Sequence, residues 1–256
     1  MLPITLCPKK NYKLIRLGNK YDGGYLVDQR SIKESEFLLS GGIFYDFKFE
    51  SDYIDLTNNN IYCFDHIINP FKYIILWFLI FIKRLIFFEN NERILKAKKN
   101  ITKPIKFLKF IKGKKVNYEK KGIGNDSRDI YSLDTILKKI SLKKKYFLKI
   151  DIEGSEYKIL DQIIKNSDYL TGLVIEFHNV TKNIKQIEKF INKLPLELIY
   201  TRSNNAGEVN EYNDPEIIEL SFSKYALSNN DSKFEKHKLD FPNNPYKKEI
   251  DLNFFD

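Results

Sequence analysis

Apolar residues along the chain are grouped into short runs, and these runs alternate with amphipathic segments. The clearest runs are FLLSGGI (residues 37–43), IYCFD (61–65), YFLKIDIEG (146–154) and GLVIEFH (172–178). They are rich in aliphatic and aromatic residues and end in Gly or in a polar residue, which is the pattern of a buried strand that runs into a turn. The runs therefore predict strands that are covered on both faces.

Helical periodicity lies between these runs. The candidate helices are 49–60, 132–140, 155–166 and 182–193. Strands that alternate with helices predict an open, mostly parallel α/β sheet. Two later apolar runs, 196–202 and 216–223, are joined by a polar loop without a helix. We expect these two runs to pair as an antiparallel hairpin.

The most hydrophobic segment is FKYIILWFLIFIKRLIFF, residues 71–88. Its uninterrupted apolar run extends only from Tyr73 to Ile82, whereas a helix needs roughly 20 apolar residues to span a bilayer. We therefore predict no transmembrane helix here. Two alternatives stay open: a buried or part-buried helix, or a helix that lies in a membrane interface, because basic residues flank the run.

Positive charge is concentrated in one part of the chain. The formal net charge is +9 and the pI is about 9.2, and residues 93–145 contain 18 Lys and Arg against 4 Asp and Glu. Such an excess suits a solvated surface, an anionic membrane or an anionic ligand. Nucleic-acid binding is a minor alternative, because no zinc-finger spacing, RNP-like strand or Gly-rich RNA motif accompanies the charge. Within the basic segment, Pro104 is expected to break a helix.

Length and cysteine use set further bounds. The 256 residues suit one α/β domain with additions, or two small domains. Cys7 and Cys63 have no metal-ligand spacing and are too few for a disulfide framework, which favours a reducing compartment. The N-terminus lacks the apolar stretch of a secretory signal. A cytoplasmic location is expected, with the inner face of the membrane as the alternative.

Polar residues collect where the predicted strands end. In open α/β sheets, ligands bind outside the carboxyl ends of the strands, so we expect these residues to form one site. Glycines there let a ligand approach the backbone, and an acid that ends the second strand is typical of ribose binding. The residues concerned are Ser40, Gly41, Gly42, Asp65, Asp151, Glu153, Glu176, His178, Asn204 and Asn205.

The stretch FLKIDIEGSEYKIL (147–160) resembles the strand-four signature of the FkbM-type family of S-adenosylmethionine-dependent methyltransferases, LKxDxEGxE followed by an apolar helix. Other motifs resemble the same family in the same order along residues 16–223. They are RLGNKYDGGYLVD (the DGGY element of one branch), LLSGGIFYDFKFE, IYCFD, SLDTIL, VIEFH, and RSNNAG with PEIIELSFS. The chain departs from the family in having Ser-Gly-Gly where Gly-x-Gly is commoner, and in a longer, more apolar segment at about 67–115.

The resemblance implies a Rossmann-like class I methyltransferase fold, with a mostly parallel seven-stranded sheet, a C-terminal antiparallel hairpin and helices on both faces. It divides the chain into an N-terminal arm with the DGGY element, a core with an apolar and basic insertion, and a C-terminal tail. The boundaries are 1–36, 37–226 (insertion about 67–115) and 227–256.

The activity that the resemblance implies is transfer of a methyl group from S-adenosylmethionine to a hydroxyl of a small molecule or glycan, as in polysaccharide modification. One alternative is a membrane-surface enzyme that contacts the lipid through residues 71–88 and acts on a lipid-linked acceptor. Another is a nucleic-acid-binding protein on a methyltransferase-like scaffold. The sequence identifies neither the acceptor nor the oligomeric state.

Roles for single residues follow from the same resemblance. A hydroxyl acceptor must lose its proton to a carboxylate or His, or must have its pKa lowered by a cation such as Mg²⁺ or Mn²⁺. Glu156 falls in the first helical turn, where the helix dipole favours an acid, and is expected to be structural. The expected sets are Gly41, Gly42, Glu50, Asp65 and Asp151 for the cofactor; Asp151, Glu153 and His178 for catalysis; Tyr25, Glu176, His178, Asn204 and Asn205 for the acceptor; and Asp151, Glu176 and His178 for a metal ion.

Overall fold

The computed structural model describes residues 1–87, 91–140, 143–230 and 234–255. Its strands are β1 (Leu2–Pro3), β2 (Asn11–Tyr12), β3 (Ile15–Gly18), β4 (Gly24–Val27), β5 (Phe37–Gly41), β6 (Asn60–Phe64), β7 (Val116–Glu119), β8 (Gly122–Ile123), β9 (Ile130–Tyr131), β10 (Tyr146–Ile150), β11 (Leu170–His178), β12 (Glu197–Ser203), β13 (Ile217–Ser223), β14 (Ser228–Asn230) and β15 (Phe254–Phe255). Its α-helices are α1 (Gln29–Lys33), α2 (Lys48–Thr57), α3 (Pro70–Ile86), α4 (Asn91–Phe110), α5 (Leu133–Ile140), α6 (Leu160–Lys165) and α7 (Val180–Lys193).

A seven-stranded sheet forms the centre of the fold, in the order β12-β13-β11-β10-β5-β6-β7. The strands from β11 to β7 pair in parallel, and β13 runs antiparallel to both β11 and β12. The predicted α/β class with a mostly parallel seven-stranded sheet is therefore confirmed. The chain leaves β5 toward β6 and returns on the other side as β10, so β5 and β10 flank the point where ligands bind in such sheets.

Alternating side chains of the central strands divide the core into two layers. On β5, Leu39 belongs to the cluster that α5, α6 and α7 cover, whereas Leu38 belongs to the cluster that α1, α2 and α4 cover. Leu148 and Phe147 of β10 are divided in the same way. Because successive strand residues point to opposite faces, a run that is apolar throughout requires helices on both sides.

Most of the predicted elements are present, with changes at their ends. α2 ends where Asn58 adopts a φ of 60° in the left-handed region. Ser132 caps α5, because its Oγ accepts a hydrogen bond from the Thr135 N–H at 3.1 Å. The expected helix over 155–166 is wrong in its first half, where Glu156–Lys158 form a 3₁₀ turn.

Pro104 does not break the helix that contains it, contrary to the expectation from sequence. It lies inside α4 and is buried on the same face as Ala97 and Phe107. A proline within a helix removes one backbone hydrogen bond. Burial of this face against the core outweighs that local cost, since tertiary packing overrides propensity.

The helices α3 and α4 pack side by side, and we call this pair the α3–α4 hairpin. No residue of α3 is fully buried, but one face with Tyr73, Trp77 and Ile80 is half-buried, so of the expected buried or part-buried helix the structure has the part-buried form. The base of the hairpin packs on the loop after β5: Tyr73 lies 4.5 Å from Tyr45, and Phe110 stacks on Phe47 at 4.4 Å, measured between ring centroids. Among the described residues, no helix has the length and hydropathy of a membrane span.

The N-terminal arm and the C-terminal tail both return to the core. β3 and β4 form a two-stranded sheet with the DGGY element at its turn, and β1 pairs in parallel with β15. Asn205 also ties the tail to the core, as described below. The division into arm, core and tail stays a prediction.

Candidate functional site

The glycine turn after β5 lies directly against the end of β10. Gly42 has a φ of +78°, and a Cβ there would lie 1.4 Å from the Asp151 carbonyl oxygen. The Asp151 N–H donates to the Gly41 carbonyl at 3.0 Å, and the Gly42 N–H donates to Phe64 at 3.0 Å. Only glycine fits at position 42. Because it has no side chain, the turn can bring the ends of β5, β6 and β10 together.

Asp65 follows β6, where a ribose-binding acid was expected. It is 7% exposed. Its Oδ2 accepts a hydrogen bond from the Phe44 N–H at 2.9 Å, and its Oδ1 accepts one from the Ile67 N–H at 2.8 Å. Asp65 therefore ties the glycine loop to the segment that leads into α3. Each carboxylate oxygen has a second lone pair for a ligand, and the cofactor role stays a prediction.

Glu50 is fully buried in the first turn of α2. Its Oε1 accepts a hydrogen bond from the Ser40 hydroxyl at 2.5 Å and lies 3.4 Å from the Lys149 ammonium. These contacts join α2 to β5 and β10. They are contacts of a residue that supports the glycine loop, and binding of a cofactor amino group by Glu50 stays a prediction.

Lys149 was not singled out from the sequence. Burial would lower its pKa, but the carboxylates of Glu50, Asp151 and Asp46 outweigh this and raise it above the usual value. The one sequence signal for a buried ion pair at Lys149 was the residue type itself. A lysine inside a strand that is covered on both faces must have an acidic partner, although the sequence does not say which one.

Asp151 follows β10 and has one oxygen free for a ligand. Its Oδ2 accepts a hydrogen bond from the Tyr25 hydroxyl at 3.4 Å. Its Oδ1 is buried and has no partner among the described residues. Burial raises the pKa of Asp151 to about 6, although the nearby Lys149 and His178 charges lower it. Such a value lies close to neutral pH, as is typical of groups that exchange protons in catalysis.

His178 at the end of β11 lies among three carboxylates. Its Nδ1 lies 3.1 Å from Glu156, and its Nε2 lies 3.3 Å from Glu176 and 3.5 Å from Glu153. Burial would lower the pKa of His178, but hydrogen bonds to Glu156 and Glu176 outweigh it and raise the value to about 10. His178 is therefore a cation at neutral pH.

Glu156 and Glu153 flank His178 in different ways. Glu156 is fully buried, and its Oε1 accepts hydrogen bonds from the Ile152 and Gly154 N–H groups at 3.3 and 3.0 Å. These bonds hold the turn after β10, in keeping with the expected structural role. Glu153 is exposed and has a φ of +53°. Its side chain lies at the exposed rim of the site, with the carboxylate 3.5 Å from His178 Nε2.

Glu176 and Asn204 form a buried pair. The Asn204 amide donates to Glu176 Oε2 at 3.1 Å. Burial and the Asp151 charge raise the pKa of Glu176 to about 8. Asn205 follows Asn204 in the sequence but has different partners. Its amide donates to the Asn244 and Lys247 carbonyls at 2.9 and 3.1 Å. Asn205 therefore holds the C-terminal tail, and its predicted role in acceptor binding gains no support from these contacts.

Two further charged residues at this edge were not predicted. Glu219 of β13 lies opposite Glu176 in register, and the Arg202 guanidinium donates to Glu219 at 2.6 Å. Asn243 of the tail donates to both Glu219 and Asp22, at 2.8 and 3.2 Å. Asp22 of the DGGY element is thereby linked to the sheet through the tail.

A group of potential metal ligands lies at the same edge. Ligand atoms of Asp151, Glu153 and His178 all lie within 4.8 Å of one another. The predicted set contained Glu176 in place of Glu153, and Glu176 Oε1 also lies 3.3 Å from His178 Nε2. Carboxylates suit Mg²⁺ and Mn²⁺, whereas imidazole suits transition metals such as zinc and iron. Metal binding stays a prediction.

Comparison with known proteins gives the following similarities. Residues 89–200 match the family model of the Methyltransferase FkbM domain. No curated protein sequence matches the chain. Similar solved structures include a precorrin-6y C5,15-methyltransferase from Geobacter metallireducens, with 11% identity, coverage of 77% of this chain and 86% of that chain, and a TM-score of 0.38. An rRNA methylase from Streptococcus thermophilus has 8% identity, coverage of 77% of this chain and 90% of that chain, and a TM-score of 0.39. The fibrillarin pre-rRNA processing protein of Methanococcus jannaschii has 9% identity, coverage of 83% of this chain and 82% of that chain, and a TM-score of 0.38.

The matched range extends from the hairpin through β10 and the turn at Gly154 to β12, so it contains the strand-four signature. The DGGY element lies outside it, and assignment to the DGGY branch stays a prediction. The resemblance to the FkbM family is thereby confirmed over residues 89–200, which match the model of its methyltransferase domain, and this match supports an enzyme that depends on S-adenosylmethionine.

Proposed function

We propose that the protein transfers a methyl group from S-adenosylmethionine to a hydroxyl of a sugar or another small molecule. One observation carries the proposal. The glycine turn of Gly41 and Gly42 lies against Asp151, whose buried Oδ1 has no partner among the described residues. This arrangement is at the switch point of the sheet, in a chain whose residues 89–200 match a methyltransferase domain.

The residues at this edge fit the cofactor. S-adenosylmethionine supplies a methyl group from a positively charged sulfonium, and its ribose hydroxyls suit a carboxylate such as Asp65. Gly42 is half-buried and adds no side chain to the turn, whereas the Cβ position of Gly41 is filled by the Ile123 side chain. The free Oδ1 of Asp151 is an acceptor for a donor group of a ligand, because a buried carboxylate oxygen without a partner is costly.

Asp151 is the residue that we propose as the proton acceptor. With a pKa of about 6 it is mostly ionised at neutral pH, and it is close to the value at which a general base is effective. Burial and the Asp151 charge raise the pKa of Glu176 further, to about 8, so Glu176 holds a proton more tightly than Asp151 does. His178 is already protonated and cannot take the proton of the acceptor. The hydroxyl proton would thus pass to Asp151 as the acceptor oxygen attacks the methyl group.

The other polar residues would position the acceptor. Protonated Glu176 can donate a hydrogen bond to a sugar oxygen, and Asn204 holds its other oxygen in place. The His178 cation fixes Glu156 and Glu176 on either side of its ring. Holding the attacking oxygen and the methyl group in line supplies much of the rate in such a displacement.

The experiment that tests the proposal is calorimetric titration of the protein with S-adenosylhomocysteine, followed by assays of methyl transfer. The donor carries a tritiated methyl group, and the acceptors are glycans with free hydroxyls, compared with permethylated glycans. We expect binding, transfer only to free hydroxyls, and a loss of transfer of about 100-fold or more in Asp151→Asn. The control is Asp55→Asn, an exposed carboxylate on α2.

Failure to bind S-adenosylhomocysteine by a folded sample would overturn the proposed cofactor. Binding with transfer to amines but never to hydroxyls would overturn the proposed acceptor class. Full transfer by Asp151→Asn would overturn the role of Asp151 while leaving the cofactor assignment intact.

A divalent cation is a second way to activate the hydroxyl. The cluster of Asp151, Glu153 and His178 supports it, and Glu156 would orient the His178 ring through Nδ1, as carboxylates do for metal-bound histidines. The cation would have to displace the His178 proton. Titration with Mn²⁺ tests this idea, with His178→Gln as the variant expected to lose binding. No Mn²⁺ binding, together with transfer that is unchanged by a chelator, would eliminate the cation.

A further inference from the structure

The outward face of α3 is an exposed apolar surface. The spacing of its residues is helical, and they include Phe71, Ile75, Leu76, Phe78, Leu79 and Ile82. Ile75 and Leu79 are each 60% exposed, and Phe71 is 70% exposed. The opposite face, with Tyr73 and Trp77, is partly covered. A contiguous apolar patch of this kind on a folded protein marks an interaction site.

We propose that the α3–α4 hairpin docks the protein on an anionic lipid surface, with the outward face of α3 inserted between headgroups and acyl chains. The exposed face of α3 is rich in Phe and Leu and is flanked by Lys72 and Lys83, as in a helix that lies in the plane of the interface. The docking does not depend on the proposed methyl transfer. Only its extension to the acceptor rests on that function.

Charge decides which partner fits the hairpin. α4 exposes six lysines along its length: Lys96, Lys98, Lys99, Lys103, Lys106 and Lys109. Lysines beside an apolar helix face are attracted to anionic headgroups and can extend their charges toward them. Two copies of this chain that met through the same face would bring two rows of lysines together. That repulsion favours a lipid surface over a second copy.

The position of the hairpin gives the docking a consequence for the site. α3 begins five residues after Asp65, and the Ile67 N–H donates to the Asp65 carboxylate. Tyr73 of α3 also lies against Phe44 and Tyr45 of the glycine loop. A docked hairpin would hold the carboxyl edge of the sheet close to the lipid. An acceptor hydroxyl carried on a lipid would then lie near Asp151, which matches the lipid-linked acceptor that the sequence left open as an alternative.

Sedimentation of the full chain with vesicles tests the docking without any need for activity. Vesicles of phosphatidylcholine are compared with vesicles that also contain phosphatidylglycerol. The variant is Ile75→Glu/Leu79→Glu, which changes exposed side chains. The control is Val209→Glu/Tyr246→Glu, at two exposed apolar residues outside the hairpin.

We expect binding to the anionic vesicles at low salt and a loss of about tenfold or more at high salt, because screening weakens attraction beyond a Debye length. The hairpin variant should lose most of the binding and the control should keep it. Absence of sedimentation at low salt, or equal sedimentation of the two variants, would overturn the proposal. A dimer in solution that Ile75→Glu/Leu79→Glu dissociates, without lipid binding, would instead assign the face to self-association.

Discussion

Replacement of Lys149 by Met removes one partner of a buried ion pair and leaves the other in place. The Glu50 carboxylate is fully buried, and the Lys149 ammonium is its cationic neighbour at 3.4 Å. Methionine is unbranched like lysine and only one atom shorter, so the volume of the site changes little. The perturbation is therefore mainly the loss of one charge beside a carboxylate that cannot reach water.

The size of the effect follows from this geometry. Removal of one partner of a buried ion pair costs about 3–5 kcal/mol of unfolding free energy, because an uncompensated charge is left in the core. The Ser40 hydroxyl still donates to Glu50, which places the expected loss toward the lower end of that range. For a chain of this size such a loss lowers the melting temperature by about 10 °C.

Urea unfolding followed by far-UV circular dichroism measures this loss. The matched variant is Glu50→Gln/Lys149→Met, which removes both charges. We expect it to recover most of the stability, because replacing both partners of a buried pair is often close to neutral. Glu50→Gln alone completes the double-mutant cycle.

A loss below about 1 kcal/mol in Lys149→Met would refute the reasoning, since that is the range of an exposed ion pair. A double variant that is less stable than Lys149→Met would refute it as well. The same substitution has a second expected effect. The Lys149 charge lowers the pKa of Asp151, so its removal should raise that pKa and move the acid limb of the activity profile to higher pH.

Three further predictions concern single residues of the site. Methyl transfer at low acceptor concentration should fall as the pH drops through about 6, because protonated Asp151 cannot accept a proton. A pH profile of kcat/KM that is flat from pH 5 to 8 would contradict this. Asn205→Ala should free the tail from the Asn244 and Lys247 carbonyls and cost about 1–3 kcal/mol; limited proteolysis should then cut the tail faster, and unchanged cleavage would argue against the tie. Gly42→Ala should fail to give folded protein, because its Cβ would overlap the Asp151 carbonyl. Gly154→Ala meets no atom within 3.4 Å and should lower the free energy of unfolding by only about 1 kcal/mol, because of its positive φ. Equal melting temperatures for the two variants would contradict this.

The candidate site consists of carboxylates held together by three buried or half-buried cations. Lys149 pairs with Glu50, His178 with Glu156 and Glu176, and Arg202 with Glu219. Asp151 is influenced by the charges of both Lys149 and His178, but among the described residues no cation is in hydrogen-bond contact with it. Asp151 shares a buried carboxylate oxygen without a partner among the described residues with Glu50 and Glu156, and it is the one of the three that lies against the glycine turn.

Local patterns in the sequence were sufficient to predict the frame of the protein. Strands with apolar residues at every position require two covered faces, which gives the α/β class without any knowledge of partners. The ends of those strands are also readable, because a polar residue or glycine follows each apolar run. Asp65, Asp151 and His178 were identified in this way, and the structure places all three at one edge of the sheet.

Only the tertiary structure decided how these residues are paired. Glu50 and Lys149, or Arg202 and Asp240, meet because distant segments pack together, and no local periodicity encodes the partner of a buried charge. The same applies to Asn205, whose contacts are with the tail, and to Pro104, whose burial offsets its local cost. The exposed face of α3 is the clearest case. Its sequence is apolar enough for a core, but α3 packs on α4 and on the loop after β5 through its other face, and this leaves the apolar face exposed.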